Sequence, residues 1–199
     1  MTDRIILASN SAIRQQLLRN AGVAFTPIAA RVDEDSVREA LLADSAPPRD
    51  VADALAEMKA RKISDKYPEA MVIGCDQVLA HNGTLLSKPQ TPDNALEQLR
   101  CMRGVSHRLI SAVVVYEARK PLWRHVGVVK MQMRDVSDTY LEGYVARNWD
   151  SIRHSVGAYK LEEEGVRLFT RISGDYFHVL GLPLLELLGF LTLHGELET

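Results

Sequence analysis

Asp76 is the residue that most needs an explanation. It interrupts an apolar run, with Met71-Val72-Ile73 before it and Val78-Leu79 after it, and it stands between Cys75 and Gln77. Taking a carboxylate out of water is costly unless it is paired, hydrogen-bonded or bound to metal. Two readings follow: a catalytic or metal-binding acid, or a strand-end acid that caps a turn. Asn82-Gly83 follows, and both residue types tolerate positive φ, so the pair predicts a hairpin. Its second arm, Thr84-Leu85-Leu86, runs to Lys88-Pro89. The hairpin would carry a carboxylate in an apolar strand and an ammonium at its far end.

A second group with chemical potential lies near the start. Ser9-Asn10-Ser11 separates a short apolar strand, Ile5-Ile6-Leu7-Ala8, from a helix predicted over residues 12–20. A strand, a serine-rich turn and a helix leave free N–H groups at the helix N-terminus, which suits an anion. Ser11 is a good N-cap, and Arg14 in the first turn can reach the same anion. The alternative is a capping serine and a solvated arginine. No glycine-rich phosphate loop of the usual spacings occurs in the chain. Val32-Asp33-Glu34-Asp35 reads as a solvated turn or a helix start. It gains interest only if one acid faces the anion site, where Mg²⁺ would need oxygen ligands. Lys59, Arg61 and Lys62 fall on the polar side of a long helix predicted over residues 50–63, where cations complement the helix dipole.

The elements that must position these groups alternate between strands and helices. A strand is expected over residues 25–30. A helix follows Thr91-Pro92, with Thr91 as N-cap and Pro92 at the first helical position, and its core face is Ala95, Leu96, Leu99 and Met102. Residues 109–116 read as a central strand and 122–133 as a long second one. Ser137 caps a helix to about Arg147, a loop covers 148–155, and a strand covers 166–172. Gly174-Asp175-Tyr176 reads as a turn, and residues 184–193 form a final apolar helix. Three consecutive glutamates, Glu162 to Glu164, read as solvent-facing. Helices alternating with hairpin-like strand pairs predict an α/β protein with a mixed sheet.

Composition narrows the function classes. At 199 residues with 46% hydrophobic and 25% charged residues, the chain can bury a sizeable core as one large domain or two lobes sharing one. A net charge of −2 argues against bulk binding to nucleic acid or a membrane surface, so an anionic ligand must be held by local cations. Cys75 and Cys101 lie in unrelated contexts and read as free core thiols in a reducing compartment. Thr2-Asp3-Arg4 leads straight into the first strand, with no signal peptide, and residues 179–193 are too interrupted for a membrane span. A cytoplasmic protein is the expectation. The last helix leaves a homodimer open beside an ordinary core role.

Four separated segments together resemble the Maf family of nucleoside triphosphate pyrophosphatases. Leu7-Ala8-Ser9-Asn10-Ser11 with Arg14 and Leu17-Leu18 is similar to its N-terminal signature. Ile73-Gly74-Cys75-Asp76 with Lys88-Pro89 resembles its central strand and lysine, and Gly104 to His107 its Gly-x-x-His turn. Gly157-Ala158-Tyr159, Gly174-Asp175-Tyr176 and residues 179–184 resemble its C-terminal signature. The resemblance runs from about residue 5 to residue 190. It implies a mixed, twisted sheet flanked by helices, as one domain over residues 1–199 with two lobes and an active-site cleft between them. It also implies hydrolysis between the α- and β-phosphates of a nucleotide with a divalent cation, Mg²⁺ or Mn²⁺. By this resemblance Asp76 falls on the general base, and Ser9, Ser11 and Arg14 on the phosphate-binding loop. Lys59 and Lys88 fall on two phosphate-binding lysines, and Glu34 joins Asp76 as a metal-associated acid.

The resemblance also bears on the base. Gln77 and Lys160-Leu161-Glu162 fit the branch that resembles 7-methyl-GTP enzymes. Ile13 fits neither that branch, which has a Trp there, nor the dTTP/UTP branch with paired arginines. A Trp could stack on a cationic methylated purine, which Ile13 cannot match, but Glu162 could complement a positive ring. A modified purine nucleotide, 7-methyl-GTP first, is the expected substrate, with Ile13, Gln77 and Glu162 as specificity residues. A dTTP/UTP pyrophosphatase and a division-linked nucleotide-binding regulator with little turnover are the alternatives. Cut against the regulator is Asp76 itself: a pure binder of polyanions would bind better without a carboxylate there.

Overall fold

The computed structural model describes residues 4–198. Thr2 and Asp3, read above as leading into the first strand, lie outside them. The strands are β1 (Ile5–Leu7), β2 (Thr26–Pro27), β3 (Met71–His81), β4 (Thr84–Leu86), β5 (Ser106–Glu117), β6 (Lys120–Met133) and β7 (Phe169–Ser173). They form one mixed sheet in the order β2-β1-β3-β5-β6-β7, with β4 paired to β3 off this path. β1 runs parallel to β2 and β3, whereas β3–β4 and β6–β7 are antiparallel. The helices are α1 (Ala12–Asn20), α2 (Glu34–Ala43), α3 (Pro48–Ser64), α4 (Pro92–Met102), α5 (Asp138–Ile152), α6 (Tyr176–Val179) and α7 (Leu184–Leu193). The expected mixed α/β architecture is present. Among the described residues no helix is long and apolar enough to cross a membrane.

The chain divides into two compact units. One holds the chain up to Asp76, Ser111–Gly127 and the chain from Gly181 on; the other holds Gln77–Ile110 and Val128–Leu180. In the first, β1 and the start of β3 are fully buried, as expected for apolar parallel strands. Leu17 and Leu18 of α1, Leu55 of α3, and Leu187 and Leu191 of α7 add to that core. In the second, Leu99 and Met102 of α4 and Leu141 and Tyr144 of α5 are buried where those two helices pack together. His107, Tyr159 and Phe169 form an aromatic cluster there, with ring centroids 4.8–5.9 Å apart.

Several elements differ from the sequence reading. The strand expected over residues 25–30 is only Thr26–Pro27. Of the two readings of the acidic run the helix start holds: it opens α2, with Asp33 as its N-cap accepting from the Ser36 amide at 3.1 Å. α5 runs past Arg147 into the expected loop, to Ile152, because the Asn148 side chain donates to the Tyr144 carbonyl (2.9 Å) and to Glu164 (2.8 Å). The expected strand 166–172 starts at Phe169, since residues 164–168 form a 3-10 turn. Asp175 is not in a simple turn but caps α6, accepting from the Phe177 and His178 amides. Cys75 is a buried free thiol as expected, but Cys101 is exposed, one residue off the buried α4 face of Gln98, Leu99 and Met102.

Candidate active site

The turn after β1 is built to present amides. Ala8 donates its N–H to the Ile73 carbonyl at 2.8 Å, which fixes the end of β1 against β3. Ser9 is buried, and its Oγ accepts from the Ser11 amide at 3.2 Å. Ser11 is at the N-cap with extended backbone, but its side chain makes no capping bond. The expected capping bond from Ser11 is therefore absent, and the Ser9 bond braces the turn rather than capping the helix. No acid lies in the first turn of α1. Arg14, half-buried, reaches across to β3, where its Nη1 donates to the Cys75 carbonyl at 3.1 Å.

The carboxylate in β3 is neither unpaired nor at a turn. Asp76 is 5% exposed, and its Oδ1 accepts from Lys59 Nζ at 2.6 Å. The same ammonium meets Glu34 Oε1 at 2.9 Å. Lys59 is itself only 8% exposed, which corrects its placement on the polar side of the helix. The spacing Leu55, Lys59, Ile63 puts it on the buried face of α3, a signal present in the sequence and overridden there by the neighbouring Arg61 and Lys62. Gly74 permits the approach. A Cβ on it would collide with the Ala56 carbonyl oxygen and lie 2.6 Å from the Ala60 amide nitrogen, so only glycine lets α3 lie this close to β3. Sequence reasoning did not assign Gly74 a role.

Burial pushes the Lys59 ammonium down, and Asp76 and Glu34 raise it; the nearby Arg14 charge again pushes it down. The two carboxylates win, so Lys59 titrates above its ordinary value. One unit therefore gathers Ser9, Ser11, Ile13, Arg14, Glu34, Lys59 and Asp76, with two cations close enough to repel each other.

The remaining candidates belong to the other unit. Gln77 is half-buried, and its Nε2 donates to the carbonyls of His178 and Val179, both at 3.0 Å. Lys88 is exposed and makes no ion pair with a described residue. The three glutamates separate. Glu163 accepts from Ser151 and Lys160. Glu164 is held by Arg147 (2.6 Å) and Asn148, which pull its carboxyl down to about 2. Glu162 and Glu163 are both exposed, and of the three only Glu162 pairs with no described residue.

An acid–lysine–acid cluster with an arginine converging on the same strand, on a mixed sheet, is the charged centre of this α/β protein. The chain belongs to the family described as Maf-like protein, which matches residues 4–194. It is 67% identical over 199 residues to a nucleoside triphosphate pyrophosphatase of Ruegeria pomeroyi, covering 100% of both chains. It is 50% identical to a protein of that name from Caulobacter vibrioides, covering 97% of this chain and 96% of that one. A 7-methyl-GTP pyrophosphatase of Brucella abortus is 45% identical, with 94% of each chain covered.

Proposed function

We propose that this protein hydrolyses nucleoside triphosphates at the α–β phosphoanhydride, releasing a nucleoside monophosphate and pyrophosphate, with Asp76 as general base. The observation that carries the reading is the Lys59 ammonium between Asp76 and Glu34 with Arg14 beside it. Two cations held close to each other at a helix N-terminus cost energy that a bound polyphosphate returns. The names carried by the relatives support the same reaction class.

Water adds to phosphorus, the bridging P–O bond breaks, and its electron pair leaves with pyrophosphate. The water proton goes to the Asp76 carboxylate, which Lys59 orients through Oδ1. Arg14, Lys59 and the N–H groups opening α1 oppose the charge that moves onto the leaving group. Two hard carboxylates converging on one cationic position also fit a Mg²⁺ or Mn²⁺ ion, which uses one or two carboxylates and takes its other ligands from phosphates and water. Held by Asp76 and Glu34, that ion would acidify the attacking water and neutralise phosphate charge.

Glu162 supports the assignment of a modified purine, with 7-methyl-GTP first. It is the one glutamate of its run left unpaired, so it can complement a cationic ring or accept from guanine N–H groups. Gln77 enters specificity through the backbone of residues 178–179 that its amide ties down. Two free cysteines fit a reducing compartment, the cytoplasm.

The test is a panel of 7-methyl-GTP, dTTP, UTP, ITP, GTP and ATP with Mg²⁺ or Mn²⁺, products separated. Pyrophosphate with monophosphate is expected, and Asp76→Asn should lower the rate by about 10²–10⁴-fold. Orthophosphate instead would place the cut at the γ-phosphate and overturn the mechanism. Nucleotide binding without turnover would favour the regulator.

A further inference from the structure

Gly181 has a left-handed backbone, φ 86°, and lies in the same unit as Arg14. A Cβ placed on it would stand 2.9 Å from Arg14 Nη2, 3.1 Å from Nε and 3.4 Å from Cζ. The guanidinium thus packs directly on the bare Cα of this residue. Its Nη1 meanwhile donates to the Cys75 carbonyl. Backbone holds the fork at two points, and at one of them it can do so only because no side chain is present.

We propose that Gly181 is a positioning residue: its missing side chain is what allows Arg14 to keep the orientation in which it would grip phosphate. The proposal rests on the phosphate-binding reading of Arg14 given above. The atoms that a Cβ would meet are the far end of a flexible side chain, so a larger residue displaces the guanidinium, on top of the backbone strain that any L side chain carries at this φ and at that of Gly195 alike. Arginine grips an anion through donors in a fixed planar fork, so a turn of that plane breaks the contact even though the charge stays nearby. Substitution at 181 should therefore damage anion binding more than folding.

Gly195 is the matched control. It lies in the same unit with φ 79°, but a Cβ there meets nothing within 4 Å. Affinity for α,β-methylene-GTP, which has no cleavable α–β bridge, is measured by calorimetry together with the urea midpoint. The variants are Gly181→Ala, Gly195→Ala, Arg14→Ala and the Arg14→Ala/Gly181→Ala pair. Gly181→Ala should weaken binding by about fivefold to tenfold, Gly195→Ala by less than about twofold, and the pair no more than Arg14→Ala alone. If Arg14→Ala weakens binding but Gly181→Ala matches Gly195→Ala, or adds its full effect to Arg14→Ala, the positioning role is wrong. If Arg14→Ala leaves affinity unchanged, the phosphate-binding reading of Arg14 fails and takes this proposal with it. Should Gly181→Ala unfold, the pair decides: recovery of the urea midpoint in the Arg14→Ala background supports the contact, and no recovery overturns it.

Discussion

At the scale of single residues, Lys59 is the hinge of the site. It neutralises two carboxylates, one of them almost fully buried, and removing it leaves both facing an uncompensated partner. Breaking a buried ion pair from one side costs about 3–5 kcal/mol. Lys59→Met should therefore lower stability by about that much in urea at pH 7. Adding Asp76→Asn should recover part of that loss, because the repulsion between the two carboxylates is then gone. A deficit unchanged by the second substitution would mean that Lys59 contributes packing rather than charge. A raised lysine value gives stability that is complete below the ordinary 10.5 and lost as pH climbs through the folded value. Asp76 was legible in the sequence because an acid in an apolar run must have a partner. The partner was harder to see: Lys59 shares its helix face with Leu55 and Ile63, but its basic neighbours point the eye to a solvated surface. Gly74 and Gly181 were not legible as site residues, because what they supply is the absence of a Cβ next to atoms far away in sequence.

At the scale of elements, the site depends on how closely α3 lies on β3. Any residue at 74 larger than glycine must push the α3 backbone away, since the obstacles are the Ala56 carbonyl and the Ala60 amide, not a side chain that can turn. Overpacking of this kind costs about 1–3 kcal/mol or more, which for a chain of this size is a fall in Tm of about 3–10 °C. Gly74→Ala should show that fall in a thermal melt, and adding Ala60→Gly should not restore it, because the backbone contacts remain. A full rescue by Ala60→Gly would place the limit in the Ala60 side chain instead. The elements that the sequence foretold are those with local signals. Thr91-Pro92 opens α4 with the Thr91 Oγ accepting from the Asn94 amide. Asn82-Gly83, both at positive φ, turn β3 into β4 with His81 facing Thr84. α1 and α7 carry amphipathic or apolar runs between clear stops. Elements without such signals were read only in part. α2 buries no residue, so its sequence has no core stripe to read. The last turns of α5 depend on Asn148 bonding to Glu164, a contact sixteen residues away.

At the scale of the whole molecule, the titrating groups divide between the two units. His107 lies in the second, 2% exposed, with Nε2 2.7 Å from the Tyr159 hydroxyl and no partner on Nδ1 among the described residues. Burial, with a smaller push from His81, lowers it to about 4. The unfolded chain takes up this proton near 6.5 and the folded one only near 4, so stability falls as pH drops across that window. Glu57, Glu164 and Asp138 have lowered values; their contribution is complete above about 4.5 and is lost only below it. Of these shifted groups, only His107 acts between pH 6.5 and 4.5. Each unit holds one tryptophan, Trp123 stacked on Phe190 in the first and Trp149 in α5 of the second. Trp123→Phe therefore leaves a reporter in the second unit, and Trp149→Phe leaves one in the first. Urea unfolding followed by fluorescence should lose midpoint between pH 6.5 and 4.5 at the Trp149 reporter. His107→Phe should flatten that loss. Above pH 10 both reporters should lose midpoint, because burial raises the Tyr144 and Tyr159 hydroxyls in the second unit while Lys59 and Tyr116 are raised in the first. Coincident acid curves would mean one cooperative transition, and an unchanged acid slope in His107→Phe would remove the histidine as its cause.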